Sequence, residues 1–123
     1  MTREDKVEQF LVAANKKKFN MEDPYDFSME NNFCEEAEEL LDAIEDYVEN
    51  PTEKTRANLC KEWSDVQVTL SNIAWYFNIP ADEAFNRVHE NNMTKLIDGK
   101  VRRRADGKIL KPEGYVKPDM KGL

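Results

Sequence analysis

The tripeptide Asn50-Pro51-Thr52 separates two long segments in which apolar residues recur with the period of an amphipathic helix. The first segment begins between residues 26 and 32 and ends near residue 49, and the second continues to about residue 77. Because proline favours the first turn of a helix, we expect Pro51 in that turn, with Asn50 or Thr52 as the cap. Two helices joined by so short a connection lie antiparallel, so the sequence predicts a helical hairpin. The apolar positions that define its two faces are Phe33, Ala37, Leu40, Leu41, Ile44 and Val48, then Leu59, Trp63, Val66, Leu70, Ile73 and Phe77.

Two further segments repeat the helical period. They predict a helix over residues 2–15 and another over residues 81–96, after the break at Pro80. The chain is therefore expected to be all-α, with a four-helix bundle over residues 1–97. Residues 98–123 are expected to form a tail that packs on the bundle or on a neighbouring subunit. Two Asp-Gly-Lys turns in this tail indicate a small hairpin or an irregular extended structure.

The charge of the chain is unevenly distributed. Net charge is −7, but the tail holds eight Lys or Arg against four Asp or Glu, so residues 1–97 have a net charge of −11. An acidic body repels phosphate, which makes DNA or RNA a poor partner. No apolar run approaches the ~20 residues of a membrane span, and the N-terminus lacks a signal-peptide pattern. Cys34 and Cys60 have no CxxC spacing, so we expect reduced thiols acting as small hydrophobic residues in a cytoplasmic protein.

Acidic residues recur at matching positions on the two helices of the hairpin. Glu36 and Glu39 lie 15 and 12 residues before Pro51, and Glu62 and Asp65 lie 11 and 14 residues after it. Because an α-helix rises ~1.5 Å per residue, the two pairs are expected to stand level. At ~100° per residue, Glu62 also falls close to the centre of its own apolar stripe. The spacing predicts that four carboxylates converge across the hairpin.

Carboxylates beside an apolar interior need a compensating cation. No Lys or Arg occurs between Phe19 and Glu53, so the first helix of the hairpin supplies none. A bound metal is the natural compensation, and ligation by carboxylate oxygens favours Mg²⁺ or Mn²⁺. A di-iron site of the four-helix type needs two Glu-x-x-His pairs, and this chain has a single histidine, His89. The alternative interpretation is a solvent-exposed acidic face without a ligand.

Two parts of the sequence resemble one known superfamily. Glu35-Glu36-Ala37-Glu38-Glu39, followed after 22 residues by Glu62-Trp63-Ser64-Asp65, looks like the EExxE…ExxD signature of the all-α, MazG-like nucleoside triphosphate pyrophosphohydrolases. The stretch from Val88 to Lys95, the Asp-Gly-Lys turns and the segment from Lys111 to Asp119 are similar to short phage and bacterial members described as phosphoribosyl-ATP pyrophosphohydrolase-like. Together these features cover residues 30–120.

The resemblance implies a role for each matching residue. Glu36, Glu39, Glu62 and Asp65 would bind two or more Mg²⁺ or Mn²⁺ ions. Glu35 and Glu39 would be catalytic, Glu35 as a further ligand or by positioning the attacking water. Asn92 and Lys95 would contact the phosphate or sugar of the nucleotide. The implied assembly is a homodimer or homotetramer.

The implied reaction is hydrolysis of a (deoxy)nucleoside triphosphate at the α–β bond to a monophosphate and pyrophosphate, a step that controls a nucleotide pool, such as that of a phage-infected cell. Two alternatives remain: the same chemistry on another substrate such as phosphoribosyl-ATP, or a non-catalytic helical module that binds a protein. No P-loop, dinucleotide-binding turn or nucleophile–histidine set indicates another class of enzyme. An exposed stripe, Trp75-Tyr76-Phe77, is expected to be buried by self-association. Candidate residues for base recognition are Phe10, Trp63, Trp75 and Tyr76.

Overall fold

A computed structural model describes all residues, 1–123. It contains four helices and one two-stranded antiparallel sheet, and 57% of the residues are helical. The all-α class is therefore confirmed. The elements are α1 (Arg3–Ala13), α2 (Ser28–Glu49), α3 (Glu53–Tyr76), α4 (Ala81–Met93), β1 (Arg102–Arg103) and β2 (Ile109–Leu110).

Threonine side chains fix the starts of two helices. The Thr2 hydroxyl accepts from the Asp5 backbone N–H at 3.1 Å, and the Asp5 carboxylate accepts from the Thr2 backbone N–H at 2.9 Å. The same reciprocal arrangement joins Thr52 and Thr55 at the start of α3. Such capping satisfies backbone donors that the first turn leaves free. The expectation that Pro51 lies in the first turn of α3 is wrong, because Thr52 takes the cap position and Pro51 precedes it.

The chain forms two compact units, Met1–Ile79 and Pro80–Leu123. In the first unit the core lies where α1 meets the start of α2 and the end of α3. Phe19, in the loop after α1, donates its backbone N–H to the Tyr76 carbonyl at 2.9 Å and packs on the Tyr76 ring. The buried core residues are Val7, Leu11, Met29 and Tyr76, with Phe19, Tyr25, Ile73 and Trp75 packed against them.

The aromatic stripe at the end of α3 is not one exposed surface. Tyr76 is only 4% exposed because α1 and the loop residues Phe19 and Tyr25 cover it. Trp75 is half-buried, whereas Phe77 is 41% exposed. Of the predicted exposed stripe Trp75-Tyr76-Phe77, only Phe77 is exposed, and the prediction is wrong for Tyr76.

Helices α2 and α3 form the predicted antiparallel hairpin, and their buried positions are mostly small or polar. Ala43 is 1% exposed on α2, and Thr69 and Ser71 are each 2% exposed on α3. Ser71 faces α1 rather than α2, because its hydroxyl donates to the Glu4 carboxylate at 3.2 Å. Several larger apolar residues of the hairpin are exposed. Leu41, Val48 and Trp63 are 60%, 73% and 55% exposed.

The thiols of Cys34 and Cys60 are free, as expected, but they are exposed rather than packed as small hydrophobic residues.

In the second unit, polar side chains of α4 hold the C-terminal segment by its main chain. The Arg87 guanidinium donates to the Lys121 carbonyl at 2.8 Å and to the Asp119 carbonyl at 3.3 Å. The Asn91 amide donates to the Val116 carbonyl at 2.7 Å and accepts from the Tyr115 hydroxyl at 2.7 Å. No residue of α4 is fully buried, so these hydrogen bonds, rather than an apolar core, define the arrangement.

The C-terminal segment also contains the predicted small hairpin. β1 pairs with β2, and the first Asp-Gly-Lys turn has Asp98 and Gly99 in the left-handed region, with φ of 52° and 75°. The contacts group α4 with this segment, whereas the sequence divided the chain after residue 97. As a statement about separate domains, that division stays a prediction. None of the four helices combines the length and the apolar character needed to cross a lipid bilayer.

The fold makes a direct prediction for α1. Leu11→Ala should lower the free energy of unfolding by about 2–5 kcal/mol, because Leu11 is 4% exposed and its truncation leaves a cavity against Tyr76. Urea unfolding followed by circular dichroism measures this change. Phe10→Ala is the matched control on the same helix; Phe10 is 72% exposed, so its loss should cost less than about 0.5 kcal/mol. Equal costs for the two variants would contradict the described core.

Candidate metal centre

Three acidic side chains from the two helices of the hairpin meet at one point. Glu36 comes from α2, and Glu62 and Asp65 come from α3. One carboxylate oxygen of each lies within 4.8 Å of the others. Octahedral Mg²⁺, with ligands at about 2.1 Å, holds its oxygens about 3–4 Å apart, so small side-chain movements would suffice for ligation. The equal distances from the turn therefore bring three of the four predicted ligands together, and their role as metal ligands stays a prediction.

Two oxygens in this cluster are buried without any hydrogen-bond partner. They are Oε2 of Glu36 and Oε2 of Glu62. The Glu62 residue is 7% exposed, in spite of its charge, and the Glu36 residue is half-buried. A buried polar atom without a hydrogen-bond partner costs about 1–3 kcal/mol, and more where it carries charge. Paired carboxylate oxygens with free lone pairs at one point fit a hard divalent cation, which prefers such ligands.

Glu39 lies at the exposed rim of this cluster. The negative charge of Glu36, with that of the nearby Glu62, raises the pKa of Glu39 above its usual value. Glu39 is not among the three residues whose oxygens lie within 4.8 Å of one another. It therefore adds negative charge to the site from α2 without completing the closest group.

A lysine that the sequence analysis did not consider contacts the same acids. The Lys61 ammonium lies 3.1 Å from Glu62 Oε1 and 2.9 Å from Asp65 Oδ2. Hydrogen bonds to Asp65 and then Glu62 raise the pKa of Lys61 above its usual value. Lys and Arg are absent between Phe19 and Glu53, which covers α2, whereas Lys61 lies on α3. The signal that would have found it is its spacing of four residues from Asp65 on a helix.

The remaining predicted site residues are not members of this group of three. Glu35 is exposed on α2. Asn92 and Lys95 belong to the second unit, where the Lys95 ammonium donates to Asn92 Oδ1 at 3.1 Å. Asn92 is exposed and Lys95 is half-buried, so an amide and an ammonium group stand together near the end of α4. The roles of these three residues stay predictions.

The aromatic candidates for base recognition have different surroundings. Phe10 and Trp63 are exposed, Trp75 is half-buried, and Tyr76 belongs to the core. Trp63 directly follows Glu62 in the chain and lines an apolar groove of about 390 Å³ on the helical hairpin. The groove is also lined by Leu40, Ile44, Arg56, Leu59, Cys60 and Ser64.

The raised pKa of Glu39 leads to a prediction about stability without metal. The folded protein binds a proton at Glu39 more tightly than the unfolded chain does, so this carboxyl lowers the free energy of unfolding as pH rises through and above the usual Glu range. In EDTA at pH 7, Glu39→Gln should therefore raise the midpoint of thermal unfolding. The gain should shrink as pH falls and Glu39 of the wild type becomes protonated.

The control for this prediction is Glu38→Gln. Glu38 is exposed on the same helix, and its neutralisation removes the same charge outside the cluster. An equal gain in both variants would attribute the effect to the net charge of the chain and not to repulsion within the cluster.

Comparison with known proteins does not assign the chain to a group. No protein-family model matches the sequence, and no characterised protein matches it. The resemblance to the MazG-like superfamily therefore stays a prediction that depends on the quoted motifs.

Proposed function

We propose that this protein is a metal-dependent pyrophosphohydrolase that cleaves a nucleoside triphosphate between the α and β phosphates. The observation that carries the proposal is the group formed by Glu36, Glu62 and Asp65 across the helical hairpin, with two buried carboxylate oxygens that lack partners. An unliganded acidic face would be expected to turn its carboxylates to water. Glu62 does the opposite, since it is 7% exposed.

In this proposal Glu36, Glu62 and Asp65 hold Mg²⁺ or Mn²⁺, and Glu39 completes a site for two or more ions. When bound, such ions lower the pKa of a coordinated water and neutralise charge on phosphate oxygens. Glu39, at the exposed rim of the cluster, would accept a proton from the attacking water. Glu35 would help to position that water.

The substrate class follows from charge as well as from the family resemblance. An acidic cluster attracts a phosphate chain only through cations, which suits a substrate that binds together with its metal. Lys95 and Asn92 would contact phosphate or sugar, and their mutual hydrogen bond supports a shared role. Release of a monophosphate and pyrophosphate from deoxynucleotides would place the protein in control of a nucleotide pool in the cytoplasm, including that of a phage-infected cell.

Self-association is a further part of the proposal. The groove beside Trp63 and the exposed Leu41 and Val48 leave a broad apolar surface on the hairpin. Exposed apolar patches of this kind are typical of interfaces between subunits. We expect a homodimer or homotetramer, and this expectation now depends on the hairpin surface instead of on Tyr76.

The proposed activity is tested by pyrophosphate release from ribo- and deoxynucleoside triphosphates with Mg²⁺ or Mn²⁺. Asp65→Asn and Glu39→Gln should each reduce release at least about 100-fold. Mutation of residues that only hydrogen-bond to metal ligands already lowers metal affinity or activity about 10–100-fold. Glu38→Gln should retain activity. Release only from phosphoribosyl-ATP would change the substrate and keep the metal chemistry. No release from any of these compounds would contradict the proposed reaction.

Binding of metal is tested separately through stability. A ligand at 100 times its dissociation constant stabilises the folded state by about 2.7 kcal/mol, so Mn²⁺ should raise the midpoint of thermal unfolding. The rise should be lost in Asp65→Asn and kept in Glu38→Gln. Indifference of the wild type to Mn²⁺ would contradict the metal site and favour a non-catalytic binding module.

A further inference from the structure

Lys61 is the one cation paired with the acidic cluster. Its ammonium forms ion pairs with Glu62 Oε1 and Asp65 Oδ2, at 3.1 Å and 2.9 Å. The other ion pairs of the chain, Arg87 with Glu83 and Arg104 with Asp106, lie in the second unit. Of the charge that Glu36, Glu39, Glu62 and Asp65 bring together, Lys61 can neutralise only a part.

The surroundings of Lys61 allow its ammonium group to move away from Glu62 and Asp65 into solvent. Its side chain is 63% exposed, while the side chains of Glu62 and Asp65 are 10% and 35% exposed. The lysine stem is flexible and its ammonium is well hydrated in water, so turning outward loses little packing. The carboxylates are held in the hairpin, and the cation that pairs with them is held only by its charge.

Glu62 and Asp65 cannot pair fully with an ammonium group and bind a divalent ion at the same time. Lys61 occupies one oxygen of Glu62 and one of Asp65, and the free Glu62 Oε2 has no partner. A divalent ion among the three carboxylates would repel an ammonium group a few ångströms away and would compete for its acceptors.

We propose that Lys61 is an exchangeable counter-ion of the metal centre. In the metal-free protein its ammonium compensates Glu62 and Asp65; binding of a divalent cation displaces it into solvent. This inference depends on the metal site of the proposed function. It adds that the Lys61 ammonium competes with the metal ion for Glu62 and Asp65 and so lowers the affinity for metal. Lys61 thus acts on the ion through Glu62 and Asp65: it occupies one oxygen of each until the ion replaces it.

The test measures Mn²⁺ affinity from the electron paramagnetic resonance signal of the free ion. Lys61→Met keeps the apolar stem and removes the ammonium, so the dissociation constant should fall roughly three- to tenfold, as expected for the loss of exposed ion pairs. Lys61→Arg should raise the constant, because a planar guanidinium binds carboxylates more firmly. Lys54→Met is the matched control; Lys54 is exposed near the start of the same helix and forms no ion pair.

A second readout comes from thermal unfolding of the same variants. Lys61→Met should lower the midpoint in EDTA, and saturating Mn²⁺ should remove the difference from the wild type. A purely structural contribution of Lys61 would lower the midpoint equally with and without Mn²⁺.

The outcomes separate this inference from the proposed function. If the wild type fails to bind Mn²⁺, the metal site itself is wrong. If the wild type binds Mn²⁺ but Lys61→Met has the affinity of Lys54→Met, or a weaker one, the metal site stands and the exchange is wrong. Circular dichroism confirms in each case that the variant is folded.

Discussion

The contact between α2 and α3 brings like charges together inside the hairpin, and the rest of the site depends on this constraint. Glu36 and Glu62 each keep a buried oxygen without a partner, and Lys61 reaches only Glu62 and Asp65. Packing of two helices therefore holds the acids in place against their mutual repulsion. A cation that entered would relieve this repulsion, so the proposed metal binding and the expected loss of stability without metal have the same physical cause.

Distances along a helix made the acidic cluster predictable. The rise per residue is constant, so equal distances from Asn50-Pro51-Thr52 place residues of the two helices at the same level. Small errors at the turn do not matter: α3 begins after Thr52 and not at Pro51, and Glu36 still reaches Glu62. The helical class was predictable for a related reason: long segments with the apolar period of a helix are the clearest signal of secondary structure in a sequence.

The exposure of individual side chains was less predictable. Periodicity shows which residues share a face, but the face is buried only where another element covers it. Tyr76 is buried by Phe19 and Tyr25, which lie in a non-periodic loop and give no signal of their packing. Trp63 lies on an apolar face that no other element of its unit covers, so it stays exposed. Lys61 was missed because an ion pair within one helix looks, in sequence, like any charged surface.

The second unit is held together by hydrogen bonds from side chains of α4 to main-chain carbonyl groups. Arg87 and Asn91 bind carbonyl groups of the C-terminal segment, and a carbonyl is present at every position of a chain whatever its side chain. The side chains of Val116 and Lys121 can therefore change while these hydrogen bonds persist. Insertion or deletion of one residue between Val116 and Lys121 would instead change the spacing of the carbonyl groups that Asn91 and Arg87 bind. The length of the segment from Val116 to Lys121 is thus more constrained than its composition, because the spacing of Arg87 and Asn91 on α4 sets the spacing of the carbonyl groups that they bind.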